Sequence, residues 1–198
     1  MRILQLPNEG YIRDTLPKNI LDSLLSESLL CDNKKKIATG LKKSDGSQTC
    51  LHYGMSDKNF NHLKNLIFPY IFEYNKNYNY SSNINCLTSD SPYVFGRPWI
   101  NIQKPNEYLP IHKHDGVFSY TIWLKLPKFS EFVFYYSGIV NQRIYKLGLT
   151  PRDVGDFIMF PSTLHHAVYP FVSEDPNEIR ISISGNISLQ GIGDYQSK

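Results

Sequence analysis

From Tyr93 onward the chain breaks into short apolar and aromatic runs, each cut off by Pro, Gly, Asn or Asp. Residues 93–103, 117–126, 131–137, 142–148, 156–160, 166–171 and 179–187 read as candidate strands. Strands with turn signals at such intervals fold as an antiparallel sandwich or barrel. The many aromatic residues, 14 Tyr and 11 Phe, suit half-buried pleated sheets.

The first part of the chain has a different period. Ile20, Leu21, Leu24, Leu25 and Leu29 recur at helical spacing after Pro17, which predicts an amphipathic helix over 17–30. A second helix is expected to start near Ser56 and Asp57, with Phe60, Leu63, Ile67, Ile71 and Tyr74 on one face and a kink at Pro69. The lysine-rich stretch 31–50 and the Asn-rich stretch 74–90 read as connections. At 198 residues one domain is expected, with a helical part over 1–90 and a β core over 91–190, the helices covering one outer sheet face.

Net charge is +3 with the 21 Lys and Arg scattered, so no strong nucleic-acid signal is present. Cys31, Cys50 and Cys86 show no CxxC spacing and read as reduced thiols. The start of the chain lacks the apolar stretch of a secretory signal, and no run approaches the roughly 20 apolar residues of a membrane span. A soluble, cytoplasmic protein without a membrane partner is expected; its oligomeric state is not encoded in any motif.

The chemistry concentrates in three places. Pro110-Ile111-His112-Lys113-His114-Asp115-Gly116 sets two imidazoles two residues apart, which in an extended strand aims both at one point. Phe160-Pro161-Ser162-Thr163-Leu164-His165-His166 delivers a further pair of histidines, of which only one can share that face. Arg180, Ser182 and Ser184 lie on one face of the last strand, a guanidinium beside hydroxyls that matches a carboxylate. Imidazole ligands suit Fe(II), Zn(II), Ni(II) or Cu(II), so the pattern indicates a metal without selecting one. Asn101 and Tyr120 are further candidates for polar contacts, His52 and His62 read as ordinary polar residues, and Trp99 and Trp123 as core or rim packing.

In their order, His-x-His, then Phe-Pro-Ser with a downstream His, then Arg-Ile-Ser, these residues resemble the 2-oxoglutarate/Fe(II)-dependent dioxygenase superfamily over about residues 97–187. The resemblance implies a double-stranded β-helix, or jelly roll, mainly β, with the two N-terminal helices packed on one sheet. It implies Fe(II) held by His112, His114 and His166, 2-oxoglutarate held by Arg180 with Ser182, and Asn101 and Tyr120 nearby. It further implies oxidative decarboxylation to succinate and carbon dioxide, coupled to hydroxylation of an unidentified small molecule or protein. The superfamily's usual His-x-Asp or His-x-Glu is His112-Lys113-His114 here, so three neutral ligands replace two imidazoles and a carboxylate, with Asp115 as the alternative oxygen ligand. Two other readings remain at this stage: a cupin-like three-histidine metal dioxygenase without 2-oxoglutarate, and a non-catalytic β-sandwich binding module.

Overall fold

A computed structural model describes residues 10–31, 51–80, 92–137 and 141–190. The lysine-rich connection, Cys50, Cys86, the start of the chain and most of the Asn-rich stretch lie outside the described residues.

Helix α1 (Lys18–Leu29) and helix α2 (Asp57–Tyr78) follow the helical periods of the sequence. Leu63, Ile67, Ile71 and Tyr74 form the buried stripe of α2. Its first turn is capped by the Ser56 side chain, which accepts from the Asn59 amide at 3.4 Å. Glu27, near the end of α1, ties the helices together: its carboxylate accepts from the Ser56 amide at 2.6 Å, the Ser56 hydroxyl at 2.7 Å and the Asn59 side-chain amide at 2.6 Å. The helix does not stop at Tyr74, where a connection is expected, but runs to Tyr78 and ends in the left-handed cap Asn79, φ 49°. Pro69 lies within it.

Eleven strands build two sheets among the described residues. One has the order β1 (Ile12–Thr15), β9 (Asp156–Pro161), β6 (Phe118–Lys125), β11 (Arg180–Leu189), β4 (Trp99–Gln103), β2 (Leu51–Gly54), with β3 (Tyr93–Phe95) on the far part of β11. The other has the order β5 (Leu109–His112), β10 (His165–Val168), β7 (Ser130–Ser137), β8 (Gln142–Leu149). Every pairing is antiparallel. Consecutive strands from β4 onward alternate between the two sheets, except for the hairpin β7–β8 within the smaller one, which is the double-stranded β-helix that the resemblance implies.

The expected strand 93–103 is two strands. Gly96, Arg97 and Pro98 interrupt it, Pro98 having no amide for a ladder, while Arg97 bonds the Met55 carbonyl at 3.1 Å and Asp57 at 2.5 Å. Strands β1 and β2, four residues each, carry too little periodicity to stand out from the sequence.

Two apolar cores flank the larger sheet. On its outer face Leu24, Leu63, Ile67 and Ile71 of the helices meet Phe118, Ile122, Phe157, Ile181 and Ile183. Between the sheets Trp123, Phe132, Phe134, Leu147, Leu149, Ile158 and Phe160 form the second. Strand β6 is buried on both faces for this reason, with Tyr120 facing the helices and its neighbours Ser119 and Thr121 facing the other sheet.

Gly185 on β11 is the contact that lets Tyr120 sit there: a Cβ at this position would lie 2.4 Å from the phenolic oxygen. Gly185→Ala is therefore expected to destabilise the protein by about 1–3 kcal/mol through overpacking. Urea unfolding measures this, and the cost should shrink when the same substitution is made together with Tyr120→Leu, since the two side chains occupy one space. Additive costs in that pair would exclude the clash as the cause.

Candidate metal centre and its cavity

Where the inter-sheet apolar core stops, a cavity of about 390 Å³ remains. Its walls come from His52 on β2, Trp99, Asn101 and Gln103 on β4, Arg180, Ser182 and Ser184 on β11, Ser119 and Thr121 on β6, and the histidines of the smaller sheet. The polar rows match across the larger sheet because register aligns them: His52 lies opposite Asn101, Asn101 opposite Ser182, and Gln103 opposite Arg180.

His112, His114 and His166 meet at one side of this cavity. His112 and His166 are direct partners in the β5·β10 ladder, so their side chains share a face, and their ring centroids are 4.3 Å apart. His114 lies beyond the end of β5, not on a regular strand as expected. Its amide donates to the Ser162 carbonyl at 2.9 Å, which brings its ring to 5.0 Å from that of His112 and 5.1 Å from that of His166. The nearest ligand nitrogens of the three all lie within 4.8 Å of one another.

Local hydrogen bonds settle which nitrogen points inward. His112 Nδ1 donates to the Pro110 carbonyl at 2.6 Å and His166 Nδ1 to the Leu164 carbonyl at 2.9 Å. A carbonyl only accepts, so each Nδ1 carries the proton and each Nε2 keeps its lone pair. Such outer partners orient imidazoles for a metal.

Electrostatics favours the same state. Burial, followed by the nearby His112 ring, pushes His166 down to about 3 and His114 down to about 4, and burial lowers His112 as well. His166 stacks on Phe132 at 5.4 Å and meets the edge of Phe160 at 4.9 Å, which explains its dry setting. Three neutral imidazoles converging through lone pairs fit a divalent ion of the first transition row. His165 faces the other way and is exposed, and Asp115, also exposed, does not join the cluster.

Arg180 is buried at the cavity wall, 2% exposed. Asn101 donates through its side-chain amide to Ser184 Oγ at 3.0 Å and to Ser182 Oγ at 3.4 Å, so both hydroxyls must direct their own protons elsewhere. Asn101 Oδ1 is buried without a hydrogen-bond partner among the described residues. A carboxylate beside Arg180 would find a cation and hydroxyl donors together, so a carboxylate group fits this wall.

Tyr120 stands between two environments. It borders the cavity beside Gly185, but its ring belongs to the helix-side core, and burial raises its phenol above the ordinary value. Conversely, His52 is not an isolated loop histidine: it lies on β2, 8% exposed, and lines the cavity 6.4 Å from the Trp99 ring. The only signal available for it was its place in the short run Leu51-His52-Tyr53. Trp99 forms the rim near His114, centroids 5.9 Å apart, whereas Trp123 is wholly in the core.

Comparison with known proteins agrees with this arrangement. Residues 97–186 match the family model described as "Putative 2OG-Fe(II) oxygenase". No curated protein matches the chain in sequence. Among solved structures, it is similar to a prolyl-4-hydroxylase of Pseudomonas putida, with a TM-score of 0.63, 12% identity and coverage of 92% of this chain and 94% of the other. A viral collagen prolyl hydroxylase from Paramecium Bursaria Chlorella virus-1, in complex with 2OG, gives 0.56, 12%, 91% and 96%. HygX from Streptomyces hygroscopicus, with nickel, 2-oxoglutarate and hygromycin B bound, gives 0.59, 10%, 91% and 83%. At these identities the structural likeness speaks for the fold, and the sequence match covers the same strands that carry the three histidines and Arg180. Residues 97–186, which carry the three histidines and Arg180, are thus similar in sequence to the 2OG-Fe(II) oxygenase family, and the fold around them is the one these solved oxygenases share.

Proposed function

We propose that the chain is a hydroxylase in which Nε2 of His112 and His166, with a ring nitrogen of His114, hold Fe(II), and Arg180 with Ser182 holds the far carboxylate of 2-oxoglutarate. The observation that carries the reading is the convergence of three neutral imidazoles on one wall of a cavity whose other wall presents a buried guanidinium. Iron with 2-oxoglutarate supplies oxidative decarboxylation coupled to hydrogen abstraction from a C–H bond.

The chain's own residues do the rest. The Pro110 and Leu164 carbonyls hold two rings in the ligating tautomer. Phe132 and Phe160 back His166 and keep water from that side. Asn101 orients the Ser182 and Ser184 hydroxyls, and so acts on the carboxylate through Ser182. Tyr120 lines the same cavity beside Gly185, with its ring packed toward the helices. A cavity near the low end of the roughly 300–1,000 Å³ typical of ligand sites leaves room for a small substrate or the end of a side chain. Among the described residues no helix is long and apolar enough to cross a membrane; a cytoplasmic location belongs to the same reading.

The Fe(II)-loaded protein is expected to convert 2-oxoglutarate to succinate slowly without a second substrate. Arg180→Met, close in length, should weaken 2-oxoglutarate binding by about tenfold or more, the scale of a lost charge-assisted hydrogen bond, while one metal ion still binds per chain. Titration calorimetry reads both. An unchanged 2-oxoglutarate affinity would remove Arg180 from the role.

The depressed histidines also predict the pH response of the metal-free protein. Below the ordinary value of 6.5 the unfolded chain takes up protons that folded His114 and His166 refuse until about 4 and 3. Stability present above about pH 6.5 is therefore lost as pH falls toward 4. The urea midpoint should drop between about pH 7 and about pH 4.5, and drop less in His166→Gln. Equal slopes in both proteins would contradict a buried neutral His166.

A further inference from the structure

Apart from the phenol of Tyr120, the ionisable side chains that line the cavity are all nitrogen bases. His52, His112, Lys113, His114, His166 and Arg180 line it, and among the described residues no Asp or Glu does. In the usual ligand set of this superfamily one carboxylate lies at the metal; here that position holds His114, and the neighbouring Asp115 is exposed and outside the cluster. The two positive charges of a divalent ion are matched by the two negative charges of 2-oxoglutarate, and Lys113 adds a positive charge that neither offsets. The loaded cavity thus keeps an excess of positive charge on the Lys113 side, within walls of low dielectric where such a field is strong.

That excess has a direction. Arg180 belongs to the inner wall, where Gln103 faces it and donates to the Glu107 carbonyl. Lys113 is exposed and lies between the two metal-side histidines, at the cavity's open side. His52 and Trp99 line the cavity from the edge strand β2 and its partner β4, with Trp99 half-buried near His114. An ammonium, an imidazole and an aromatic face together match a small molecule or side chain with a negative group next to an apolar part.

Resting on the hydroxylase reading above, we propose that the substrate is an anion, a carboxylate or phosphate ester, whose charged group is held by Lys113 and His52 while its apolar part lies against Trp99. A cationic substrate would enter against the field, and a neutral one would gain nothing from it.

The test uses the full chain loaded with Ni(II), which also takes imidazole ligands, and saturated with 2-oxoglutarate so that the Arg180 end is filled. Three probes of similar shape are titrated calorimetrically: phenylacetate, phenyl phosphate and the neutral phenylacetamide. At least one anion is expected to bind about tenfold or more tightly than the amide, and which anion wins separates the carboxylate from the phosphate source. Lys113→Ala, at an exposed position, should remove most of that preference, His52→Phe part of it, and Lys128→Ala, an exposed lysine outside the cavity lining, none of it. Equal binding of the three probes, a preference for the amide, no binding of either anion, or a preference that survives in the Lys113 and His52 variants overturns the proposal. The same titrations report 2-oxoglutarate affinity for each protein. If 2-oxoglutarate itself fails to bind, the hydroxylase reading falls; if it binds and charge makes no difference, only this inference does.

Discussion

The register of β5 against β10 is what the metal centre depends on. His112 faces His166 in that ladder, and a slip of one residue would turn His112 outward and bring Ile111 into the cavity. The ladder is irregular between this pair and the next: Val168 pairs with Leu109, so three steps on β5 match two on β10. The extra residue makes a bulge at Pro110 and Ile111, and bulges re-aim the side chain beside them. Pro110 fits there because it has no amide to leave unpaired, while its carbonyl accepts from His112 Nδ1. One irregularity thus sets both the direction of a ring and its tautomer.

Ser162 does the corresponding work for His114. Its carbonyl accepts from the His114 amide at 2.9 Å, its amide donates to the Val117 carbonyl at 3.0 Å, and its hydroxyl lies 3.0 Å from that of Ser119. The turn after β9 is thereby fastened to the chain on both sides of Gly116, whose φ of 109° reverses the direction between His114 and β6. A side chain at Gly116 would also come within 2.8 Å of the Ile187 carbonyl. The cavity is bounded by these fixed points and by the apolar core of Phe132, Phe160 and Trp123, and its polar residues face it because register leaves them no other side.

Much of this was legible in the sequence, because periodicity over long runs is a strong signal. Strands β6 to β11 and both helices fall where apolar spacing puts them, and His112, His114, His166, Arg180 and Ser182 line one cavity. Short elements were not legible: four residues of β2 hold too few alternations to distinguish a strand, so His52 could not be assigned to a face. The position of Tyr120 was hidden for another reason. Strand β6 is buried on both sides, so burial preference does not tell its faces apart; only the small residue opposite, Gly185, reveals that the ring needs room on the helix side. The break at Gly96-Arg97-Pro98 was visible as residues but not as a gap between two strands of one sheet, since both still pair with β11.

Replacing a carboxylate by His114 changes the energetics of the empty and the filled cavity in opposite ways. With three imidazoles neutral, the metal-free protein buries no anion at the centre and avoids the desolvation cost of an unpaired carboxylate, a cost of several kcal/mol for an isolated ion. Once a divalent ion is bound, the same neutrality leaves its charge unbalanced by the protein, so the cavity's demand for anions rises in a single step. A dianion reaching both the ion and Arg180 answers that demand at two points. Coupling between binding sites is reciprocal, so a tighter grip on the anion in the presence of metal is also a tighter grip on the metal in the presence of the anion. On the proposed ligand set, His114 would make metal and dicarboxylic acid depend on each other more strongly than a carboxylate ligand would, and Lys113, exposed beside it, would extend the same bias outward.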